Sequence, residues 1–260
     1  SSTKSVTGAQ LGFFANGTDA SANEPTAFVW DFGDGSDAES GQSVTHAYTE
    51  IGTYQPKVKI TVGGVEKTVN GPSVAIGESD IYLTSGGDIQ AAVNSAYPGA
   101  TVHLGAGPYT LSTATTPYAV GANTAVVLDK PVRIIADSTN PYDTVITVSK
   151  SNTRAFYLGD PGALVAGVTI KGGGITSAYA YGGAAWLDHG TVSNCVFTSC
   201  TANGNGTGGS AVVLFADGLV THTIISNNTS TITQNDNKGG GNVSMFGGTV
   251  RNCLIAKNTA

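Results

Sequence analysis

Charge is scarce in this chain. Only 12% of the residues are Asp, Glu, Lys or Arg, against about a quarter in ordinary globular domains. Methionine occurs once while glycine occurs 36 times, a balance that excludes a mainly helical protein, because glycine weakens helices and long flexible side chains build them. No apolar run approaches the roughly 20 residues that a membrane-crossing helix needs, so no membrane span is expected. Twelve basic residues stand against eighteen acidic ones, with no basic run to neutralise a phosphate backbone, and nucleic acid is not an expected partner. Three cysteines leave at least one thiol unpaired in a monomer. What is present is a 40% hydrophobic fraction divided into short runs by Gly and Asn, which is the pattern of a folded β-protein rich in turns.

The charge is unevenly placed. All five Glu lie within residues 1–78, whereas residues 79–260 carry nearly balanced Asp and Lys or Arg. This composition change predicts two domains, 1–78 and 79–260. The chain opens at Ser1, as a processed secreted chain or an excised piece would.

Residues 11–15, 26–32, 55–62 and 65–69 read as strands, separated by Asn16-Gly17, Gly33-Asp34-Gly35 and Gly63-Gly64, which are turn and hairpin signals. Trp30 and Phe32 share one strand face and are candidate core, while Asp31 and Asp34 are placed to bond the backbone of the following turn. Asp31, Asp34 and Asp37 are also the candidate calcium ligands, since clustered carboxylates suit a hard cation. No other cofactor is implied. The run Trp30-Asp31-Phe32-Gly33-Asp34-Gly35, followed by His46-Ala47-Tyr48 and Gly52-Thr53-Tyr54, resembles the polycystic-kidney-disease (PKD) type domain, an extracellular immunoglobulin-like sandwich. The resemblance covers about residues 6–76 and implies a spacer or adhesion module in which His46 and Tyr48 pack and turn.

The remainder repeats. Gly190-Thr191-Val192-Ser193-Asn194-Cys195, Gly218-Leu219-Val220-Thr221-His222-Thr223 and Gly248-Thr249-Val250-Arg251-Asn252-Cys253 align, each preceded by a second Gly-led apolar run, at 183–187, 209–215 and 241–246. Residues 164–170 supply an earlier copy. Units of this size bury their apolar face only against their neighbours. The region resembles a right-handed parallel β-helix of the pectate-lyase-like superfamily. That resemblance implies an amino-terminal capping helix at 88–96, with Asp88 and Ser85 as its start chemistry, and the fold expected for the whole chain is all-β, a sandwich followed by a solenoid. The superfamily hosts lyases, hydrolases and non-catalytic proteins alike, so the resemblance does not choose an activity.

Column logic treats the special residues. Cys195 and Cys253 fall two rungs apart, about 9–10 Å, too far for a disulfide, and read as small core residues. Asn194, His222 and Asn252 read as a turn column. Asp188 and Asp217 read as solvent-facing turn residues at corresponding corners. Asp188-His189-Gly190 partly resembles the Gly-His-Gly element of pectin hydrolases, but the accompanying elements are absent, and no Lys or Arg occurs between Lys171 and Lys238. No catalytic residue is therefore assigned. Tyr179 and Tyr181, in the Gly-bounded insertion 172–183, together with Trp186 are the candidate glycan contacts, because aromatic faces stack on sugar rings. The alternative is that the insertion packs its own aromatics over the solenoid.

The resulting expectation is a secreted or cell-surface, non-catalytic structural or adhesive protein. Its expected partners are itself or an extracellular polysaccharide. After 250–255 no amphipathic segment follows to cover the last rung, and stacking of one chain's end on the next chain's start would give a fibre. The rival readings are a carbohydrate-active enzyme and a glycan-binding module.

Overall fold

The computed structural model describes residues 3–18, 21–112, 122–177, 181–203, 208–231 and 241–259. Among these, 89–95 is the single α-helix and the rest of the regular structure is β. The chain divides into two compact units, Ser1–Ser79 with Tyr97–Gly99, and Asp80–Ala96 with Ala100–Ala260.

The first unit is a sandwich. Its strands form a three-stranded sheet of Thr3–Val6, Val74–Gly77 and Gly52–Tyr54, a pair of Leu11–Phe14 and Ser43–His46, and a four-stranded sheet of Glu39–Ser40, Ala27–Asp31, Lys57–Val62 and Val65–Asn70 in that order. Alternation along Lys57–Val62 and its neighbours sends one residue in two inward, and Trp30, Phe32, Tyr48, Val58, Val74 and Ile76 form the core. The hairpin joining Val62 to Val65 needs positive φ at both loop positions. Gly63 and Gly64 supply it, at 57° and 78°.

The second unit is a parallel β-helix whose strands stack in three sheets. Sheet A takes Asp80–Leu83, Thr101–Leu104, Arg133–Ala136, Leu164–Ala166, Thr191–Ser193, Leu219–Thr221 and Thr249–Arg251. Sheet B takes Gly107–Leu111, Thr144–Val148, Thr169–Lys171, Val196–Thr198, Ile224–Ser226 and Leu254–Ala256. Sheet C takes Asn123–Leu128, Thr153–Leu158, Ala185–Leu187, Val212–Leu214 and Val243–Met245, with a side ladder of Gly174–Ile175, Thr201–Ala202 and Thr229–Ser230 joined to it at Thr153. The registers Val192 to Val220 to Val250 match the repeat alignment. Two earlier coils, through Thr101–Leu104 and Arg133–Ala136, belong to the same columns, although their sequences show no repeat, because loops of different length separate their strands.

Columns hold the unit together. Ile134, Val165, Val192 and Val220 are fully buried in line, as are Leu128, Leu158, Leu187 and Leu214, each such side chain contributing roughly 1.5–3 kcal/mol. The corner after sheet A is left-handed at Gly167, Asn194, His222 and Asn252, so the expected turn column is present. Asn tolerates that conformation better than most residues because its short side chain bonds locally. At the next corner an asparagine ladder forms from the buried Asn228 and the half-buried Asn258. Asn228 Oδ1 accepts the Cys200 N–H at 2.9 Å, and Asn258 Oδ1 accepts the Asn228 N–H at 2.9 Å.

The helix Ile89–Ser95 caps the amino end. Asp88 accepts the Ala91 N–H at 3.0 Å as N-cap, whereas Ser85, expected to share that task, donates to the Pro108 carbonyl instead. Gln90 Oε1 takes the Val127 N–H of the first sheet C strand at 2.6 Å. Lys130 Nζ bonds the Asn94 and Ala96 carbonyls, a cation at the helix's negative end.

Cys195 and Cys200 are buried free thiols and Cys253 is partly exposed. Burial pushes the Cys195 and Cys200 thiols up to about 12, so neither ionises at neutral pH to become a nucleophile. Iodoacetamide on the native protein is expected to label Cys253 alone, with Cys195 and Cys200 reacting only after denaturation; intact-mass spectrometry before and after unfolding checks this.

Candidate functional site

The densest polar and aromatic cluster lies on sheet C. Arg154 sits in the wholly buried strand Thr153–Leu158, and Tyr157 is paired in register with Trp186 on the next coil. Asp188 follows Trp186 at the corner. Its Oδ1 accepts the Trp186 indole N–H at 2.7 Å and its Oδ2 accepts the Tyr157 hydroxyl at 2.7 Å. The Arg154 guanidinium donates to the Tyr181 carbonyl at 3.0 Å and lies over the Trp186 ring at 4.9 Å. Burial pulls the guanidinium down to about 10, against the opposing pull of Asp188 and Tyr157. Even so it stays charged at neutral pH, and Asp188 is its nearby counter-charge.

An aromatic stair continues from there. Trp186 stacks on Phe215 at 4.8 Å, Phe215 stacks on Phe246 at 4.7 Å, and Tyr181 meets Trp186 and Phe246 edge-on. Ring spacing therefore equals the rung spacing of the solenoid. Coil order places Arg154 before Trp186 and Phe215 after it, so both faces of the indole are covered. The structure brings the candidate glycan residues Tyr181 and Trp186 together, but as members of a packed stack; Tyr179 lies outside the described residues. A sugar needs a free ring face, and Trp186 offers an edge whose N–H is already donated.

Asp188 and Asp217 do not occupy equivalent positions at their corners, and of the two Asp217 is the solvent-facing one. Leu187 is in register with Leu214, and the following corner carries one more residue than its predecessor before sheet A resumes at Leu219. Asp188 turns back to Trp186 and Tyr157, whereas Asp217 pairs with His189 Nδ1. The Asp188-His189 pair is thus split between two separate partners.

A second cluster spans the first coils of sheet A. His103 Nε2 meets Asp80 Oδ1 at 2.9 Å, its Nδ1 meets Asp137 Oδ1 at 3.0 Å, and Tyr82 stacks on the ring at 4.7 Å. Burial disfavours the charged ring, but the hydrogen bonds and charges of Asp80 and Asp137 outweigh it, and His103 is held above its ordinary value. Because the folded pKa is raised, its contribution to stability is complete below the unfolded value of about 6.5 and is lost as pH rises through the folded one. Wild type is expected to lose more stability than His103→Gln over that rise, as read by urea unfolding at stepped pH; equal pH dependence would contradict the clasp.

In the first unit, Asp31 Oδ1 accepts the Gly33 N–H at 2.9 Å, and Asp34 Oδ1 accepts the Ser36 N–H at 3.1 Å. Asp34 Oδ2 meets His46 Nε2 at 2.7 Å. Burial raises Asp34, but the bonds from Ser36 and His46 outweigh it and hold the carboxyl below its ordinary value. His46 lies flat on Phe32 at 3.8 Å, and the Tyr48 hydroxyl donates to the Phe32 carbonyl at 3.1 Å. Asp37 is exposed. Among the described residues no three His, Cys, Asp or Glu are grouped to hold a metal ion, so Asp31, Asp34 and Asp37 are not brought together as calcium ligands, and the first two serve the turn. The motif residues thus occupy the core and turn for which their spacing suits them, and residues 2–72 match the PKD domain family. The first unit is a PKD domain.

No curated protein matches the chain. Among solved structures it is similar to the Yersinia enterocolitica family 28 exopolygalacturonase at 8% identity, with 96% of this chain and 84% of that chain covered and a TM-score of 0.22. A likeness this slight carries nothing over to this chain's chemistry.

Sequence reasoning passed over several residues here. Arg154, Tyr157, Phe215 and Phe246 complete the sheet C cluster, and Asp80 and Asp137 complete the His103 clasp. The signal for the two phenylalanines was available, since Leu214-Phe215 and Met245-Phe246 occupy the same place in aligned repeats. Arg154 precedes the recognisable repeats and carried no such signal. In the PKD domain, by contrast, every side chain of the Trp-Asp-Phe-Gly-Asp-Gly run was placed by motif alone.

Proposed function

We propose that the chain belongs to the cell exterior and acts as a non-catalytic structural or adhesive module, with the PKD domain and the β-helix as its building units. The observation that carries this reading is how the conspicuous polar groups of the β-helix are used. Both Asp188 oxygens accept bonds from aromatic side chains, both His103 nitrogens meet carboxylates, and both faces of Trp186 are stacked. General acid–base work needs a group free to exchange a proton with substrate; Asp188 and His103 are committed to the scaffold, and the exposed His189–Asp217 pair is what the Asp217 variant below tests. A PKD domain supports the exterior location, in keeping with the secreted or cell-surface expectation. Incubation with a panel of neutral and acidic polysaccharides is expected to give binding without cleavage, or neither. Product that disappears in Asp188→Ala or Asp217→Ala would favour a carbohydrate-active enzyme.

Self-assembly is the finer form of this reading. On sheet B, Leu254 and Ile255 are neighbouring large apolar side chains left 58% and 51% exposed. An apolar rung of this kind gains from being covered. Light scattering across concentration is expected to show association that Ile255→Asp weakens; concentration-independent monomers would remove this part of the proposal.

A further inference from the structure

Among its described residues the PKD domain has an unclosed side, bounded by Asn16, Gly17 and Thr18. Val65–Asn70 is the terminal strand of its sheet, pairing with Lys57–Val62 on one edge only. Beside it runs an open cleft of about 570 Å3 lined by Ile60, Val62, Val65, Lys67 and Val69. A second cleft of about 400 Å3 continues it past the partly buried Phe13 and Ile60. Val65 is 70% exposed and Val69 43%, both on the face that a sandwich ordinarily buries.

We infer that this side receives an extended segment of a partner polypeptide, added as a strand to Val65–Asn70, with two apolar side chains flanking an acidic one. Two features specify that occupant. First, the two-residue hairpin makes Val62 and Val65 a hydrogen-bonded pair, so the backbone groups of Glu66 and Thr68 point away from Lys57–Val62 and stand ready for another strand. Second, the register puts Val65, Lys67 and Val69 on one face with Val58, Ile60 and Val62. Lys67 is the one charge in that apolar row, while the hairpin's ion pair, Lys59 with Glu66 at 3.2 Å, lies on the opposite face. An inward lysine on an edge strand repels indiscriminate apolar pairing and selects a strand carrying a carboxylate opposite it.

The test uses the whole chain and two peptides, acetyl-Thr-Val-Thr-Asp-Thr-Val-Thr-amide and the same peptide with Lys in place of Asp. Hydrogen exchange resolved to single amides is expected to slow at Glu66 and Thr68 with the Asp peptide, and binding of the Lys peptide is expected to be at least about tenfold weaker. Lys67→Glu, an exposed change that leaves the hairpin intact, is expected to reverse the preference. Absence of slowing at millimolar peptide would overturn the inference, as would equal binding of both peptides. Slowing of the same amides with rising protein concentration alone would overturn it in favour of pairing between copies of this chain.

Discussion

Gly173→Ala and Gly183→Ala are each expected to cost the β-helix about 4 kcal/mol or more, lowering its melting temperature by roughly 10 °C. The cause is backbone crowding where the 172–183 insertion leaves and rejoins the coil. A Cβ at Gly173 would collide with the Gly183 carbonyl, and a Cβ at Gly183 would strike the Ser210 carbonyl while lying 3.0 Å from that of Gly173. Neither obstacle is a flexible side chain, so neither can give way without breaking the ladder Thr201–Ala202 builds on Gly174–Ile175. Gly174→Ala is the control, because its nearest neighbour is the Thr201 hydroxyl at 3.1 Å, which can rotate. Its effect is expected to stay within about 1.5 kcal/mol. Calorimetry of the three variants, read on the β-helix transition, separates backbone contact from a general intolerance of side chains in this segment.

Arg154→Ala is expected to destabilise the β-helix by about 3–5 kcal/mol. The side chain is fully buried, so its removal leaves a cavity, an unsatisfied Tyr181 carbonyl, an empty face on Trp186 and an Asp188 carboxylate without its counter-charge. Part of the buried guanidinium is itself poorly served, since Nε has no hydrogen-bond partner among the described residues. An apolar replacement of similar length should therefore recover much of the loss once the carboxylate is also neutralised. Arg154→Met with Asp188→Asn is expected to be more stable than the sum of the two single changes by at least about 1 kcal/mol. Strict additivity in a urea-denaturation cycle would mean that the two groups do not work as a pair.

The fold was legible wherever its reason was local or periodic. The Gly63-Gly64 hairpin, the Asp31 and Asp34 turn, and the Asn194, His222 and Asn252 corner follow from turn chemistry and repeat spacing. The coil through Arg133–Ala136 was hidden because loop length varies there while strand register does not. The sheet C cluster was half legible. Trp186 and Tyr181 attract notice as aromatics, but whether an aromatic offers a face or an edge depends on what the coils before and after it contribute. Only the stacked geometry reveals Arg154 on one side and Phe215 on the other. In the same way Asp188 and Asp217 look equivalent along the chain, and one additional corner residue makes them unlike.

The most direct test of a non-catalytic β-helix is to incubate the native protein with neutral and acidic polysaccharides and assay both new reducing ends and unsaturated products, beside Asp188→Asn and Asp217→Asn. No product above the blank is expected from any of the three proteins, with Asp188→Asn differing from wild type in melting temperature alone. Product formed by wild type and lost in either variant would contradict the non-catalytic reading, through Asp188 or through the exposed Asp217–His189 pair.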